Sequence, residues 1–332
     1  MNKLKGYLIK FLLFLNHSKW RNTNKIKILI QTNPYFTEVI WLNSLKSKLK
    51  NYSNCEFIFP KNKISLIKLI KNADACFLWS LSSFIDLQQT NLKIIYFGSV
   101  GLESLENRKI PEQIKIFYPK GISAEAIAEY VLTMAVLLNR DLHLPIMVKT
   151  KRKWVQKELL QYPYTPLRCK KIGVIGYGTN GKAVAKLLKG IGCHVNALDI
   201  NRVNDPYVDS FYLVQECEEF IKSSDIIILT PSLNKTTNYM VNENFLNKLK
   251  EDSILINVSR GKIINDNSLK KIINTNKIKY VALDVFEKEP LPFYDWKWRN
   301  KKVIITPHIS GNINYFVNDV ISDFISLLNK EI

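Results

Sequence analysis

Cysteine and histidine are scarce in this sequence, and the few that occur are scattered. The 332 residues include five cysteines and four histidines. No two cysteines form a C-x-x-C pair, and the histidines lie no closer together. A disulfide framework and a metal site are therefore not expected, and the odd, dispersed cysteines favour a reducing cytosol.

Long hydrophobic runs are also absent. No apolar segment reaches the roughly 18–20 residues that span a bilayer, so an integral membrane protein is not expected. The apolar residues Tyr7–Leu15 follow two lysines, as in a signal peptide. Lys10 interrupts them, however, and no small-residue cleavage site follows. We interpret residues 1–21 as an amphipathic N-terminal extension and predict a cytoplasmic protein without membrane contact.

Acidic residues are few relative to basic ones. The sequence has 29 aspartates and glutamates against 48 lysines and arginines, a formal net charge of +19. Such a charge attracts polyanions. The lysines nevertheless recur with asparagine and isoleucine along the whole chain, for example at 22–30, 61–71 and 274–279. We interpret the charge as a compositional bias, and a nucleic-acid partner is not expected.

The length and the remaining composition are typical of two globular domains. Hydrophobic residues make up 46% and charged residues 23%, which excludes wholesale disorder. From Ile26 onward, short apolar strands alternate with polar, helix-like stretches, a pattern that predicts parallel sheets covered by helices. The first series of predicted strands is Ile26–Ile30, Phe57–Phe59, Ala75–Trp79, Ile94–Phe97 and Ile114–Tyr118.

A second series of strands follows a long predicted helix, Ser123–Asn139, with Ser123 as its N-cap. Residues 145–166 between them are interpreted as a basic surface connection. The second series of predicted strands is Ile172–Ile175, His194–Asp199, Ile226–Thr230, Ile254–Val258, Tyr280–Asp284 and Val303–Thr306. Six strands in this order predict a dinucleotide-binding sheet, and Asn314–Asn329 predicts a closing helix. The predicted fold class is therefore α/β, with two Rossmann-like, doubly wound parallel-sheet domains.

A glycine-rich turn opens the second series, where G-x-G-x-x-G follows a strand and precedes a predicted helix at Lys182–Lys189. Gly176 permits the tight turn, Gly178 lets the backbone approach a pyrophosphate, and Gly181 lets the helix pack closely. The pyrophosphate would lie at the helix N-terminus, where free N–H groups and the helix dipole favour anions. The predicted cofactor contacts of this turn are Gly176, Gly178, Thr179, Asn180 and Gly181.

An acidic residue ends the next predicted strand. Asp199 is placed where a dinucleotide-binding domain accepts the ribose hydroxyls, and its charge would repel a 2′-phosphate. NAD is therefore the predicted cofactor. Arg202, three residues further on, leaves NADP open as the less favoured alternative.

Three later strand ends carry polar side chains where open α/β sheets bind their ligands. Reduction of a 2-keto acid at neutral pH needs a clamp for the carboxylate and a proton donor for the carbonyl oxygen. Arg260 has a planar guanidinium that pairs with carboxylates. His308 has the side chain whose pKa lies nearest neutral pH, and an acid such as Glu289 would raise that pKa. Each has a structural alternative: a turn residue for His308, a capping or surface residue for Arg260, and a solvated loop for Glu289.

Taken in order, these motifs resemble those of the D-isomer-specific 2-hydroxyacid dehydrogenases. The matching segments are Gly176–Gly181, Asp199, Asn257–Gly261, Asp284–Pro290 and Thr306–Gly311. The resemblance implies that Arg260 binds the substrate and is catalytic, that Glu289 is the acid paired with the histidine, and that His308 donates and accepts the proton. The further cofactor contacts that it implies are Thr230, Pro231, Val258, Ser259, Arg260, Asp284 and His308.

In the first domain, Gly98–Gly101 resembles the family loop whose backbone amides hold the substrate carboxylate. Successive N–H groups in a glycine-containing turn can form an anion-binding nest. The predicted substrate contacts are Ser99, Val100, Gly101, Arg260 and His308. The sequence departs from the family pattern at Leu102-Glu103, where an aspartate is more usual, and an ordinary turn stays open as the alternative.

The resemblance also implies a discontinuous arrangement of domains. Residues 1–120 and the C-terminal helix at 308–332 would form the substrate domain, and the NAD-binding domain, 121–307, would be inserted between them. It further implies a homodimer that interconverts a small anionic 2-oxo acid and its D-2-hydroxy acid with NAD(H). Glyoxylate, hydroxypyruvate and a phospho-substituted analogue all stay open as substrates.

Two other functions stay open on the sequence alone. Some relatives are NAD-sensing corepressors, and the charge of +19 would suit contact with nucleic acid. Phosphite oxidation is compatible with the same motifs. Formate oxidation is disfavoured, because Glu289 stands where the formate enzymes carry an amide.

Overall fold

The computed structural model describes residues 25–31, 45–50, 52–98, 101, 103–105, 108–149, 152–161, 164–275 and 277–331. The N-terminal extension, Ser99 and Val100 lie outside these residues. The chain divides into two compact units. The first runs to Ile122 and resumes at Asn314, and the second is Ser123–Ile313, so the second unit is inserted into the first.

The first unit contains a five-stranded parallel sheet in the order β2-β1-β3-β4-β5. Its strands are β1 (Ile26–Ile30), β2 (Cys55–Ile58), β3 (Ala75–Leu78), β4 (Ile94–Phe97) and β5 (Lys115–Phe117), and helix α1 is Lys63–Leu69. Successive side chains of β1 enter different apolar clusters, Ile28 and Ile30 one and Leu29 the other. Both faces of this sheet are therefore buried, which is why its strands are nearly continuous apolar runs.

The C-terminal helix, named α9 (Phe316–Glu331), completes the first unit. Its fully buried residues are Val320, Ile321, Phe324 and Leu328. The ring of Phe324 contacts those of Phe77 and Tyr96, at centroid distances of 5.2 and 5.3 Å. The Tyr96 hydroxyl donates to Asp323 Oδ2 at 2.7 Å, and burial raises the pKa of Tyr96, so this donor keeps its proton. Helix α9, which follows the second unit, thus covers a sheet whose five strands all precede that unit.

The second unit contains a seven-stranded parallel sheet in the order β12-β11-β10-β9-β6-β7-β8. Its strands are β6 (Lys171–Ile175), β7 (His194–Asp199), β8 (Ser210–Leu213), β9 (Ile226–Leu229), β10 (Ser253–Asn257), β11 (Ile278–Leu283) and β12 (Val303–Ile305). The strand order reverses between β6 and β9, and such a switch point is where doubly wound sheets bind ligands at their carboxyl ends. The two parallel sheets confirm the predicted fold class.

Strand β8 was not predicted from the sequence. It pairs in parallel with β7, from Asn196 opposite Ser210 to Asp199 opposite Leu213. All four of its residues are only half-buried at the edge of the sheet. An edge strand of this kind lacks the apolar run by which the other six strands were recognised.

The helices of the second unit are α2 (Ala124–Asn139), α3 (His143–Val148), α4 (Gln156–Leu160), α5 (Thr179–Gly190), α6 (Cys217–Ser223), α7 (Glu243–Asn247) and α8 (Asp266–Ile272). Ser123 is the N-cap residue of α2, as predicted, but its side chain makes no capping hydrogen bond, because its φ of −94° and ψ of 5° are not those of an extended N-cap residue. Helix α5 begins three residues before the predicted Lys182, directly after Gly178.

The second boundary between the units falls at 313/314, whereas the sequence-based division placed it at 307/308. Hydrogen bonds explain the difference. The backbone N–H groups of Ile309 and Ser310 donate to the carboxylate of Asp284, so the segment that carries His308 belongs to the second unit. Among the residues described, no helix combines the length and apolar character that a bilayer-spanning segment needs.

Candidate active site

The glycine turn joins β6 to α5 and is closely packed on one side. Gly176 has a φ of +86°, and a Cβ there would lie 2.5 Å from the backbone of Pro231. A Cβ on Gly181 would lie 2.1 Å from the carbonyl oxygen of Gly176. The Thr230 hydroxyl donates to that same carbonyl oxygen at 2.7 Å. Two glycines of the turn are therefore required by packing, and the segment after β9 supports the turn directly.

The middle glycine of the turn faces open space. Gly178 is the N-cap residue of α5, no side chain caps this helix, and no heavy atom lies within 4 Å of the position of a Cβ on Gly178. Thr179 is exposed and Asn180 half-buried in the first turn of the helix. Backbone N–H groups at an uncapped helix N-terminus bind anions, and the space at Gly178 lets a pyrophosphate come close. These residues fit a dinucleotide cofactor.

Asp199 lies beside this turn, at the end of β7. Its Oδ2 accepts the N–H of Tyr177 at 2.5 Å, and its Oδ1 accepts the N–H of Ile200 at 2.6 Å. These bonds hold a half-buried carboxylate next to the glycine turn. Arg202, which left NADP open, pairs with Glu216 at 3.2 Å, so its charge is partly neutralised within the protein. The local charge therefore favours a free ribose diol over a 2′-phosphate.

Arg260 follows strand β10 in a turn that is held by buried polar side chains. Asn257 is fully buried, its Nδ2 donates to the carbonyl of Arg260 at 3.0 Å, and its Oδ1 accepts the N–H of Ser259 at 3.1 Å. The Ser259 hydroxyl in turn donates to the carbonyl of Pro231. Val258 and Ser259 are almost wholly buried. The turn therefore links Arg260 to the loop that supports the glycines.

Glu289 and His308 form a hydrogen-bonded pair. Nδ1 of His308 lies 2.8 Å from Oε2 of Glu289, and both side chains are partly exposed. The other carboxylate oxygen of Glu289 accepts the N–H of Phe286 at 2.9 Å. Nε2 of His308 has no hydrogen-bond partner within the described part of the chain. The pair thus presents one free ring nitrogen, and its carboxylate is fixed to the backbone of its own loop.

The electrostatics of this pair are those of an acid–base site. The hydrogen bond and the charge of Glu289, helped by Asp284, raise the pKa of His308 above its ordinary value, although burial and Arg260 oppose this. Burial by itself would raise the pKa of the Glu289 carboxyl. The bonds from His308 and Phe286 and the charge of Arg260 lower that pKa instead. Arg260 therefore acts on both groups, and the pair favours the protonated form of His308 more than water would favour it for a free imidazole.

Asp284 lies beneath the histidine and is fully buried. Its Oδ1 accepts the Thr306 hydroxyl at 2.6 Å and the N–H of Ile309 at 2.9 Å, and its Oδ2 accepts the N–H of Ser310 at 2.8 Å. Its backbone carbonyl accepts the N–H of His308 at 2.8 Å. Its carboxylate is thus occupied in holding the histidine loop.

Two residues to which the sequence motifs assign no role, Tyr130 and Thr306, contribute to this support. The Tyr130 hydroxyl lies 2.6 Å from the Thr306 hydroxyl, which extends the network from Asp284 into helix α2. Burial raises the pKa of Tyr130 to about 12, so its hydroxyl keeps its proton. A tyrosine inside an amphipathic helix and a threonine at a strand end carry no local signal of such a role.

Of the predicted residues in the first unit, Ser99 and Val100 lie outside the described residues, and Gly101 is half-buried in a loop. The loop starts at Gly98, where a Cβ would lie 2.8 Å from the ring of Trp79 and 2.9 Å from that of Phe77. Two aromatic side chains therefore exclude any larger residue at the first position of this loop. No group of three or more potential metal ligands occurs among the described residues.

The structure combines a doubly wound sheet with an open glycine turn and an acid at the next strand end. An arginine, a glutamate and a histidine follow three adjacent strands. Together these features define a nicotinamide-dependent oxidoreductase. The profile of one family, "D-isomer specific 2-hydroxyacid dehydrogenase, NAD binding domain", matches residues 132–310. The chain belongs to this family and is an NAD-dependent D-2-hydroxyacid dehydrogenase, which confirms the resemblance found in its motifs.

Individual relatives agree with this assignment. A glyoxylate reductase of Thermofilum pendens is 29% identical over 269 residues, 76% of each chain. A hydroxypyruvate reductase of Thermotoga maritima is 28% identical over 257 residues, 75% of this chain and 82% of the relative. Among solved structures, a D-isomer specific 2-hydroxyacid dehydrogenase family protein from Aeromonas salmonicida superposes with a TM-score of 0.77 at 22% identity, covering 93% of this chain and 96% of its own. The fold is thus that of the family over nearly the whole chain.

Proposed function

We propose that this enzyme reduces a small 2-oxo acid reversibly to its D-2-hydroxy acid, with His308 as the proton donor and acceptor. The observation that carries the proposal is the hydrogen bond of 2.8 Å between His308 Nδ1 and Glu289 Oε2, with the charge of Arg260 acting on both groups. NADH would supply the hydride.

His308 would give its proton to the carbonyl oxygen of the substrate. In its protonated form the imidazole donates from Nδ1 to Glu289 and keeps Nε2–H for the substrate. Glu289 stabilises that protonated form and sets the orientation of the ring. In the oxidative direction the neutral imidazole takes the proton from the hydroxyl group of the 2-hydroxy acid.

Arg260 would bind the substrate through its guanidinium, which can bond a carboxylate and a carbonyl oxygen at once. In the first unit, the backbone of Ser99, Val100 and Gly101 would bind the substrate carboxylate as an anion nest. We therefore propose that the first unit is the substrate domain and that the second is the cofactor domain.

The cofactor would be held by residues with distinct tasks. The first turn of α5, from Gly178 through Asn180, binds the pyrophosphate, and Asp199 accepts the ribose hydroxyls. Thr230 supports the glycine turn by its bond to the carbonyl of Gly176, and the backbone of Pro231 packs against the same glycine. Because Val258, Ser259 and Asp284 are nearly or fully buried, we propose that they act mainly by fixing Arg260 and His308 beside the nicotinamide.

The substrate class follows from the relatives and from the site. Glyoxylate reductases and a hydroxypyruvate reductase are among the relatives, and Arg260 requires an anionic substrate. We propose glyoxylate or hydroxypyruvate, or an acid of similar size, in the cytoplasm. We also propose a homodimer, because exposed apolar side chains cluster in the segment from α3 to α4; these are Leu142, Ile146, Trp154 and Leu160.

A panel of 2-oxo acids, followed by the loss of NADH absorbance, tests the activity. His308→Ala should lower kcat/KM by about two to four orders of magnitude, the usual contribution of a general acid, while NADH binding measured by fluorescence is retained. His194→Ala is the matched control, because His194 also faces a carboxylate, that of Asp209 at 3.8 Å, but lies at the start of β7. This control should keep full activity. Near-normal turnover in His308→Ala would refute the proposed mechanism.

A further inference from the structure

Tyr239 has an unusual backbone conformation. Its φ is +52°, in the left-handed region that an aromatic residue rarely occupies. It lies in the loop between β9 and α7, which begins with Thr230 and Pro231. A conformation of this kind persists only where the surroundings enforce it, and such residues cluster at functional sites.

The main chain and the side chain of Tyr239 are both held, by two different segments. Its N–H donates to the carbonyl of Lys262 at 2.7 Å, and the N–H of Val241 donates to the carbonyl of Ile263 at 3.0 Å. The loop therefore runs along the short 3-10 turn, Gly261–Ile263, that follows Arg260. The Tyr239 hydroxyl donates to Oε1 of Glu287 at 2.5 Å.

Glu287 belongs to the loop that carries the catalytic acid. It lies two residues before Glu289, whose Oε1 accepts the N–H of Phe286 at 2.9 Å. A Cβ on Gly261 would lie 1.9 Å from the carbonyl carbon of Phe286 and 2.1 Å from the nitrogen of Glu287. The turn after Arg260 and the loop of Glu289 thus pack backbone against backbone. The Tyr239 hydroxyl bonds to the same loop through Glu287.

We propose that Tyr239 is a positioning residue for the reaction: through Glu287 it holds the loop of Glu289 so that this carboxylate stays bonded to His308. The proposal rests on the proposed function of the Glu289–His308 pair. Its physical content is a chain of contacts, from Tyr239 to Glu287, along two residues of backbone to Glu289, and from there to His308 Nδ1.

The charged groups at both ends of this series of contacts favour the hydrogen bonds that form there. The bond to Glu287 raises the pKa of Tyr239, so the hydroxyl remains a donor across the working range of pH. Asp266 adds to this effect. At the other end, Glu289, Asp284 and Arg260 are the charged groups that act on His308, and only Glu289 is carried by the loop that Tyr239 holds.

The consequence is a change in the titration of His308. If the loop loses its bond to Tyr239, the Glu289–His308 bond is formed for less of the time, and the pKa of His308 falls toward its ordinary value. Reduction needs the protonated imidazole, so the alkaline limb of its pH profile moves to lower pH.

The test compares four variants of the full-length enzyme. Tyr239→Phe and Glu287→Ala each remove the bond, and each should lower kcat/KM for reduction about fivefold near the alkaline limb, the effect of one ordinary hydrogen bond. The KM for NADH should not change. Glu287→Gln keeps an acceptor for the hydroxyl and should restore the wild-type profile. Tyr294→Phe is the matched control, because Tyr294 is exposed and its hydroxyl has no hydrogen-bond partner in the described part of the chain.

The pKa of His308 is measured directly from its ring proton resonance by NMR, with His308→Ala to assign the signal. A lower pKa in Tyr239→Phe and in Glu287→Ala, with no further decrease in the double variant, supports the proposal. A wild-type pKa and pH profile in Tyr239→Phe would overturn it, whatever happens to the melting temperature. The proposed function has its own criterion: it fails if His308→Ala remains active, and it survives if only Tyr239→Phe behaves as wild type.

Discussion

The backbone around His308 is held in place by a single buried residue, Asp284. The residue has a φ of +56°, and its N–H is bound by the carbonyl of Asp284. The next two N–H groups bind the carboxylate of the same residue. One buried aspartate thereby fixes the backbone of three consecutive residues, and the bond from Nδ1 to Glu289 then orients the ring.

The Glu289–His308 pair makes the reaction depend on pH in a defined sense. The pKa of His308 is raised, so the protonated form that reduction requires is lost as pH rises through that raised value. The pKa of Glu289 is lowered, and the ionic pair is also lost when the pH falls through that lowered pKa, because the carboxylate is then protonated. Reduction should therefore be fastest between the two, and oxidation should increase as His308 loses its proton.

Glu289→Gln tests this dependence. The amide keeps the size of the side chain but removes the charge that raises the pKa of His308, while Arg260 and burial still lower it. We expect the alkaline limb of kcat/KM for reduction to move to lower pH, with a loss on the order of tenfold or more at alkaline pH. The measurement is the pH profile in both directions. An unshifted alkaline limb would show that another group supplies the proton.

The candidate catalytic residues Arg260, Glu289 and His308 could be singled out in the sequence because each follows a recognisable strand end. The structure brings Glu289 and His308 into contact and Arg260 within reach of their charges. The supporting residues could not be predicted. Tyr239 and Tyr130 form hydrogen bonds to residues 48 and 176 positions away in the chain, and such contacts leave no periodic or local pattern in the sequence.

At the scale of elements, two glycines of the second unit are needed for different reasons: packing requires Gly261, and Gly178 leaves space for a ligand. Gly261 has no room for a side chain because the backbone of the Glu289 loop abuts it, whereas Gly178 has nothing within 4 Å. The same substitution at these two positions should therefore have opposite consequences.

Gly178→Ala should leave the melting temperature nearly unchanged, because its φ of −79° and ψ of −158° suit alanine and the methyl group meets no protein atom. The methyl group would instead occupy the space for the pyrophosphate, and the Kd for NADH should rise about tenfold or more, which is about 1.4 kcal/mol.

Gly261→Ala should do the reverse. Forcing a methyl group against the backbone of Phe286 and Glu287 should cost about 1–3 kcal/mol of stability and displace the Glu289 loop. Thermal unfolding together with NADH titration distinguishes the two variants. Equal loss of NADH affinity without loss of stability in both would contradict this division of roles.

The elements themselves were predictable where burial is complete. Strands such as β3 and β9 are continuous, fully buried apolar runs, and their positions follow from that pattern. The exceptions are informative. Edge strand β8 is only half-buried, and Ser123 is the N-cap residue of α2 without a side-chain capping bond, because local propensity does not specify the backbone angles at which a chain enters a helix.

At the scale of the whole molecule, the second unit exposes several large apolar side chains in the segment from α3 to α4. Trp154 is 84% exposed and Leu160 is 73% exposed. Side chains of this size and exposure in one segment are typical of subunit interfaces, and they are the basis of the proposed homodimer.

Trp154→Asp should shift the enzyme toward the monomer, because a carboxylate cannot be buried in an apolar interface without a partner. Sedimentation over a range of protein concentrations measures the shift, and we expect the dimer to weaken at least about tenfold. Phe84→Asp is the control, since Phe84 is also highly exposed, at 74%, but lies in the first unit. An unchanged monomer–dimer equilibrium in Trp154→Asp would remove this segment from the interface.

The return of helix α9 to the first sheet has a consequence for how the protein is synthesised. Domains ordinarily fold in the order in which the ribosome produces them. Here the first unit waits for helix α9, because Phe77 and Tyr96 are covered by Phe324, which is translated only after the whole second unit. At 5–20 residues per second, the intervening roughly 200 residues take about 10–40 s. During that interval the NAD-binding domain can fold on the ribosome, while the nascent first unit still lacks the helix that covers one apolar face of its sheet.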